Sequence, residues 1–303
     1  MTRPPSKIAF VVATKDRPEE LRRMRKSLLL QSRVPDEVVI VDASAAAGPP
    51  AAAGPSRPVM RHIRSAIASA ARQRNAGIEA VAADVGLIGF LDDDAVLEVK
   101  AVEEMLRFFD EFGPEVGGAA FNMVNHPPMD LSEIKRTPLA EALGLYARRG
   151  GAVTASGFQT MIGPVESTVW TDWLPTGASV WRREVFRGHR FDEWYSGYSY
   201  LEDLDFSYRV GRAYRLAVVG AARYLHLPAE GGRGSGYAFG VREVLNRLHF
   251  VRKHDELSPS KCRAALAARL AMSLAFAVRG RDPSFVARAF GNAVGLARSA
   301  FRA

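Results

Sequence analysis

The stretch KIAFVVATKDRPEELRRMRKSLLLQSRVPDEVVIVD (Lys7–Asp42) decides the fold. Lys7–Ala13 is a short apolar run rich in β-formers, the pattern of a strand buried on both faces. Thr14-Lys15-Asp16-Arg17 closes it. Pro18 suits the first turn of a helix, and Glu19 and Glu20 suit that helix's positive end. Leu21, Met24, Leu28 and Leu29 recur at helical spacing as far as Gln31, and Pro35 breaks the pattern. Glu37–Asp42 is a second strand of the same kind. Strand, helix and strand within about 35 residues form a βαβ unit, with parallel strands and a right-handed crossover.

The alternation continues outward. Ala43–Pro58 is an Ala/Gly/Pro-rich loop, Val59–Ile63 a short strand and Ser65–Ala83 a helix by composition. Gly86–Leu91 is another buried strand that runs straight into Asp92-Asp93-Asp94. A helix over Val99–Phe109 and a strand over Ala119–Val124 follow. This is an α/β chain with a Rossmann-like, mainly parallel sheet and flanking helices. Between His126 and Val169, Pro127-Pro128 and Gly150-Gly151 mark loops around a helical piece near Leu139–Arg148. Asp172–Ala178 and the apolar residues after it read as a turn leading to Arg182-Arg183. Leu201–Val210 reads as a helix that starts at Glu202-Asp203, and Leu216–Leu227 as a strand with His226 at its end. A glycine cluster (Gly231, Gly232, Gly234, Gly236, Gly240) precedes a helical remainder.

The composition is that of a globular chain: 303 residues, 48% hydrophobic and 24% charged, which excludes a largely disordered polymer. The one cysteine, Cys262, excludes an intramolecular disulfide and a multi-cysteine zinc site. No uncharged apolar run approaches the roughly 18 residues of a membrane span. The early run Ile8–Ala13 is too short for a signal-peptide core, so the expected compartment is the cytoplasm. The net charge is +8, and Gly231–Ala303 alone carries 13 Lys+Arg against 4 Asp+Glu. That basic quarter points to an anionic partner or, more plainly, to a solvated arginine-rich face. A single-strand nucleic-acid site would interleave aromatics with the basic residues. Few occur there, so nucleic acid is not an expected partner. Ala264–Val278, flanked by Lys261, Arg263, Arg279 and Arg281, suits a membrane interface or a buried or oligomer-forming helix.

Three acidic features fall at the C-terminal ends of the strands: Asp16, Asp42 and Asp92–Asp94. Ligands of open α/β sheets bind at that edge. With extended backbone, Asp92 and Asp94 share one side and make a partial Mg²⁺ or Mn²⁺ site. An acidic turn or an N-cap is the simpler account. Glu202-Asp203 alone suits a helix N-terminus, and His226 alone a strand end. Arg74-Asn75 alone suits a helix surface closed by a Gly77 cap.

The ordered series KIAFVVATKDRPEEL, EVVIVDAS, AARQRNAGI, IGFLDDDAVL, WLPTGASVWRREVF, YLEDLDFSYRV and YLHL resembles the family 2 glycosyltransferases, inverting enzymes of the GT-A fold. The likeness runs from Lys7 to about His254. It implies a GT-A catalytic domain over 1–230, with a nucleotide-binding half to about 125 and an acceptor half from about 126, followed by a basic helical tail over 231–303. It implies that Thr14, Asp16, Asp42, Arg74, Asp92 and Asp93 bind the nucleotide sugar, with Asp42 accepting from the base. It implies Asp94 and His226 as ligands of Mg²⁺ or Mn²⁺, Asp203 as general base with Glu202 beside it, and Trp173, Thr176 and Gly177 as the acceptor loop. The implied partners are a nucleoside-diphosphate sugar and a saccharide or lipid-linked saccharide. Residues 241–303 would then suit peripheral contact with the inner face of a membrane, and the chain a homo-oligomer. A nucleotide-sugar-binding protein without catalysis and a metal-dependent nucleotidyltransferase are the rival expectations. The latter usually wants a glycine-rich loop after the first strand, where this chain has Thr14–Arg17. The departure from the family pattern is the long, alanine-rich Ala43–Pro58.

Overall fold

The computed structural model describes residues 6–45, 57–126, 138–197, 199–228, 235–280 and 283–300. Most of the Ala43–Pro58 loop, Pro127-Pro128, Arg281 and the glycines at 231, 232 and 234 lie outside the described residues. By internal packing the chain forms two compact units, Met1–Pro128 with Ile162–Ala229, and Met129–Met161 with Glu230–Ala303.

The first unit is built on a nine-stranded sheet. Its leading βαβ consists of β1 (Ile8–Thr14), α1 (Pro18–Leu29) and β2 (Glu37–Asp42), with β1 and β2 parallel as expected. β3 (Val59–Arg64) pairs parallel with β2, and β4 (Leu87–Asp92) pairs parallel with β1. Then come β5 (Ala95–Leu97), β6 (Val116–Met123), β7 (Val169–Thr171), β8 (Ala178–Arg182) and β9 (Arg215–His226). The sheet order is β3-β2-β1-β4-β8-β6-β9-β5, with β7 added alongside β9. β6 and β9 run parallel, while β8 lies antiparallel between β4 and β6. The segment expected as an apolar turn before Arg182-Arg183 is therefore this central strand. Its Ala178, Val180 and Trp181 are buried, which is why it reads as an apolar run without alternation.

β1 shows how both faces are covered. Ile8, Phe10 and Val12 enter one core with Met24 and Leu28 of α1 and Val102, Met105 and Phe109 of α3 (Ala101–Phe112). Ala9 and Val11 enter the other with Ala71 and Ile78 of α2 (Ala70–Ala80) and Phe206 and Val210 of α5 (Glu202–Gly211). Each large side chain so buried contributes about 1.5–3 kcal/mol. The helix expected over Ser65–Ala83 starts only at Ala70. Gly77 does not cap it. It sits inside α2, where an added Cβ would stand 2.2 Å from Val11 Cγ1, so its lack of a side chain sets how closely the helix meets the sheet.

The second unit is helical: α4 (Pro138–Ala142), α6 (Gly236–Arg252), α7 (Pro259–Gly280) and α8 (Pro283–Ala300). Glu243 of α6 is buried and accepts from Arg288 Nη2 at 2.7 Å and Asn292 Nδ2 at 3.1 Å, with Arg269 Nε at 3.5 Å. Burial works against its charge, but these partners hold the carboxyl below its ordinary range. One carboxylate thus ties α6, α7 and α8 together. Arg247 donates to Gly157 O at 2.5 Å and Gln159 Oε1 at 2.9 Å, which fixes the 157–159 segment onto α6.

Candidate active site

The register of the parallel strands sets the site's edge. Thr14 stands opposite Asp42, and Ala13 opposite Asp92, so the ends of β1, β2 and β4 lie together. Asp42 is buried and accepts from Ser44 N at 2.8 Å and Ser44 Oγ at 2.5 Å, with His62 Nε2 at 3.2 Å. Burial opposes ionisation, but Ser44 and His62 outweigh it and lower the pKa of Asp42. Asp16 is exposed in a left-handed conformation (φ 54°), and its N–H donates to Ser44 Oγ at 2.7 Å. Gln73 Nε2 donates to Thr14 O and Val41 O at 2.9 and 2.7 Å, satisfying carbonyls beside the ends of β1 and β2.

The triple aspartate does not stay extended. The backbone turns at Asp93 and Asp94 and returns as β5, which pairs antiparallel with the end of β9, Ala95 against His226. The turn splits the three carboxylates differently. Asp93 Oδ2 accepts from Thr14 Oγ1 at 2.7 Å, and Arg17 Nη1 lies 3.2 Å from Asp93 Oδ1 and 3.5 Å from Asp94 Oδ2. Asp94 Oδ1 faces His226 Nε2 at 3.2 Å. Asp92 points the other way, to Arg74 Nη2 at 3.0 Å. Burial raises the Asp93 carboxyl to about 6 against Thr14 and Arg17, whereas His226 and Arg17 overcome burial at Asp94 and lower it. Arg17 was not picked out by the sequence reading; the signal available was a cation directly after Asp16 in a loop that must face carboxylates.

Arg74 is buried, not on a helix surface. Besides Asp92 it donates from Nη1 to Glu202 Oε1 at 2.5 Å. Its neighbour Asn75 clamps the backbone of Phe191, donating to its O and accepting from its N–H, both at 3.0 Å. Residues of α2 therefore hold the chain that leads into α5. That lead-in carries Ser199 (φ 51°) and Leu201 (φ 76°). With Asp16 they are the non-glycine residues in left-handed backbone among those described. Such conformations cost about 1–2 kcal/mol each and persist where the surroundings impose them.

Glu202 and Asp203 open α5, where the helix's positive end faces them. Burial raises Glu202 to about 8, with Asp203 adding to the rise and Arg74 opposing it. Burial also raises Asp203, against a hydrogen bond from Leu204 N at 2.7 Å and the charge of Arg74. In the predicted acceptor loop, Trp173 is buried and Thr176 Oγ1 is buried without a hydrogen-bond partner among the described residues. Gly177 takes Asp92 N–H on its carbonyl at 2.7 Å, and a Cβ there would stand 2.6 Å from Asp92 Oδ2. Gly177 of this loop thus contacts Asp92 directly.

Among the described residues no group of three or more His, Cys, Asp and Glu side chains forms a metal cage. Asp94 Oδ1 and His226 Nε2 supply an oxygen and a nitrogen at one point, and that oxygen is buried and otherwise unpartnered. Such a pair fits Mg²⁺ or Mn²⁺ whose remaining ligands come from a substrate's phosphates.

A mixed sheet whose parallel strands end in carboxylates places them at the edge where open α/β folds bind ligands, and its neighbours among solved structures have the GT-A fold. The chain belongs to Glycosyl transferase family 2, whose sequence profile matches residues 9–161. Among solved structures it is similar to residues 1–349 of TarS from S. aureus in complex with UDP-GlcNAc. That match has 17% identity and a TM-score of 0.51, covering 86% of this chain and 71% of that one. It is also similar to the mannosyltransferase PcManGT from Pyrobaculum calidifontis in complex with GDP-Man and Mn²⁺. There the identity is 14% and the TM-score 0.54, with 96% of this chain and 87% of that one covered. No curated protein matches the sequence. Membership of this family supports transfer of a sugar from a nucleotide-sugar donor, and the neighbours share the fold. No helix among the described residues is long and apolar enough to cross a membrane.

Proposed function

We propose that this chain is an inverting glycosyltransferase that moves a sugar from a nucleoside-diphosphate sugar to a hydroxyl of a saccharide or lipid-linked saccharide, with a divalent cation as cofactor. The observation that carries the reading is the bridge Asp92–Arg74–Glu202. One buried guanidinium ties the aspartate turn, the donor side, to the start of α5, where a base must stand. The two acidic motifs therefore share one site.

In this reading Asp42 accepts from the base of the nucleotide, and Thr14, Asp16, Asp92 and Asp93 line the ribose and the donor sugar. Arg74 acts from behind, through Asp92 and Glu202. Asp94 and His226 would hold Mg²⁺ or Mn²⁺, which when bound neutralises the diphosphate leaving group. Asp203 takes the proton of the acceptor hydroxyl, whose oxygen attacks the anomeric carbon from the face opposite the diphosphate. The bond from that carbon to the diphosphate oxygen breaks as the new glycosidic bond forms, and the configuration inverts. Burial that raises Asp203 makes it a stronger proton acceptor than a solvated carboxylate. Gly177, Thr176 and the buried Trp173 shape the acceptor side.

The test separates binding from chemistry. Asp203→Asn is expected to lower turnover by about 10²–10⁴-fold, the usual contribution of a general base. Stabilisation of the protein by nucleoside diphosphates with Mn²⁺ should survive the change. Near-normal turnover in Asp203→Asn removes Asp203 as the base. A wild-type chain that no nucleoside diphosphate stabilises, with or without Mn²⁺, removes the donor class.

A further inference from the structure

The second unit carries a surface that the transfer reaction does not use. A helix on a protein surface normally turns polar residues to water. α7 does the reverse. Its buried side holds Cys262, Ala265, Leu266 and Ser273, while Ala264, Ala267, Ala271, Leu274, Ala275 and Val278 are exposed. Their three- and four-residue spacing makes one continuous apolar stripe. Leu274 is 46% and Val278 81% exposed. α8, packed against α7, repeats the pattern with exposed Val286, Phe290, Ala293 and Ala297. Phe290 is 64% exposed, and its ring lies beside that of half-exposed Tyr237, with centroids 5.7 Å apart.

Charge identifies the occupant. Lys261 and Arg263 stand exposed at one end of α7, Arg279 at the other, and Arg298 near the end of α8. Arg269 and Arg288 are taken up by Glu243, and α7 and α8 themselves contain no acid, so the exposed Lys261, Arg263, Arg279 and Arg298 stand uncompensated on these helices. A second copy would bring the same positive field to the same face, which works against a dimer there. An anionic lipid surface satisfies both features. Its acyl boundary takes Leu274, Val278, Val286 and Phe290, and its headgroups take the basic residues at the helix ends.

From this pairing of an exposed apolar stripe with flanking cations we infer that the α7–α8 face lies in the interface of an anionic membrane. The inference rests on the second unit alone and stands whether or not the reaction proposed above is correct.

The experiment is co-sedimentation of the full chain with vesicles of phosphatidylcholine alone and with phosphatidylglycerol added. Pelleting is expected with the anionic vesicles, weakened by 0.5 M salt, and little with the neutral ones. Each basic residue near such a surface contributes roughly a fivefold gain in binding. Lys261→Gln with Arg263→Gln should therefore weaken it about 25-fold. Leu274→Asp with Val278→Asp should abolish it. Circular dichroism checks that each variant folds; the Gln pair, at exposed sites, keeps the test open should the Asp pair fail to fold. The inference is overturned if the wild-type chain stays in the supernatant with anionic vesicles, or if folded variants pellet as well as wild type. It is equally overturned if light scattering shows a dimer that Leu274→Asp dissociates while vesicle binding is unchanged.

Discussion

Arg74→Met cuts the bridge between the two acidic motifs, and its cost can be worked from the structure. The side chains of Arg74 and Glu202 are 7% and 9% exposed, so water does not screen the pair. Removing one partner of a buried ion pair costs about 3–5 kcal/mol, because the other charge is left uncompensated. In a domain of about 200 residues each kcal/mol moves Tm by about 2–4 °C, so a fall of about 10 °C is expected near pH 10. The sign with pH follows from Glu202. Its carboxyl already stands at about 8 with Arg74 present, and without that cation it rises further. The folded state then keeps a proton that the unfolded chain gives up near its ordinary glutamate value. Stability tied to that proton is whole below about 4.5 and drains as pH climbs through the folded pKa. The wild-type pair ionises only above about 8, so by pH 8.5 the Arg74→Met penalty has grown by less than about 1 kcal/mol; it should be small at pH 4 and approach its full size near pH 10. Adding Glu202→Gln removes the stranded carboxylate, and the double variant should recover most of the loss. Thermal melts of the four proteins at both pH values give the cycle. A penalty that is equal at pH 4 and 10, or that Glu202→Gln leaves unrelieved, refutes the bridge as the element joining the turn to α5.

Three smaller changes probe other parts of the site. Gly77→Ala places a methyl 2.2 Å from Val11 Cγ1 in a packed interface. Overpacking of that kind costs about 1–3 kcal/mol, more than the roughly 1 kcal/mol that alanine adds in helix propensity, so urea midpoints should fall. Gly177→Ala crowds Asp92, whose side chain is 44% exposed and can give way by leaving Arg74, so turnover should drop at least tenfold while Tm moves by less than the Gly77 change. His226→Ala should weaken Mn²⁺ binding, read by electron paramagnetic resonance on the nucleotide-bound protein, and unchanged Mn²⁺ affinity would take His226 out of the metal site.

Much of this was legible in the sequence, and the boundary of what was legible has a physical cause. β1, β2 and β4 are buried on both faces, so they appear as unbroken apolar runs that end on polar residues. The register of parallel strands then carries Thr14, Asp42 and Asp92 to one edge without further information. β8 obeys the same burial rule, but Trp173-Leu174-Pro175 before it makes the strand look like part of a turn. Direction is not encoded in an apolar run, so its antiparallel place between β4 and β6 could not be read. The triple aspartate fails differently. Three identical residues after a strand give no sign of where the backbone bends, and the bend decides which carboxylates face Arg17 and which faces Arg74. Arg74 itself fits any helix surface until its partner is known, and Glu202 lies 128 residues away. Spacing reports neighbours along the chain, whereas a buried charge is fixed by what neutralises it across the fold. Arg74 gives Nη1 to Glu202 and Nη2 to Asp92, so one buried charge holds both carboxylates. The aspartate turn and the start of α5 are therefore held in one arrangement by the same electrostatic need, and that need links the two motifs that their order along the chain only suggests.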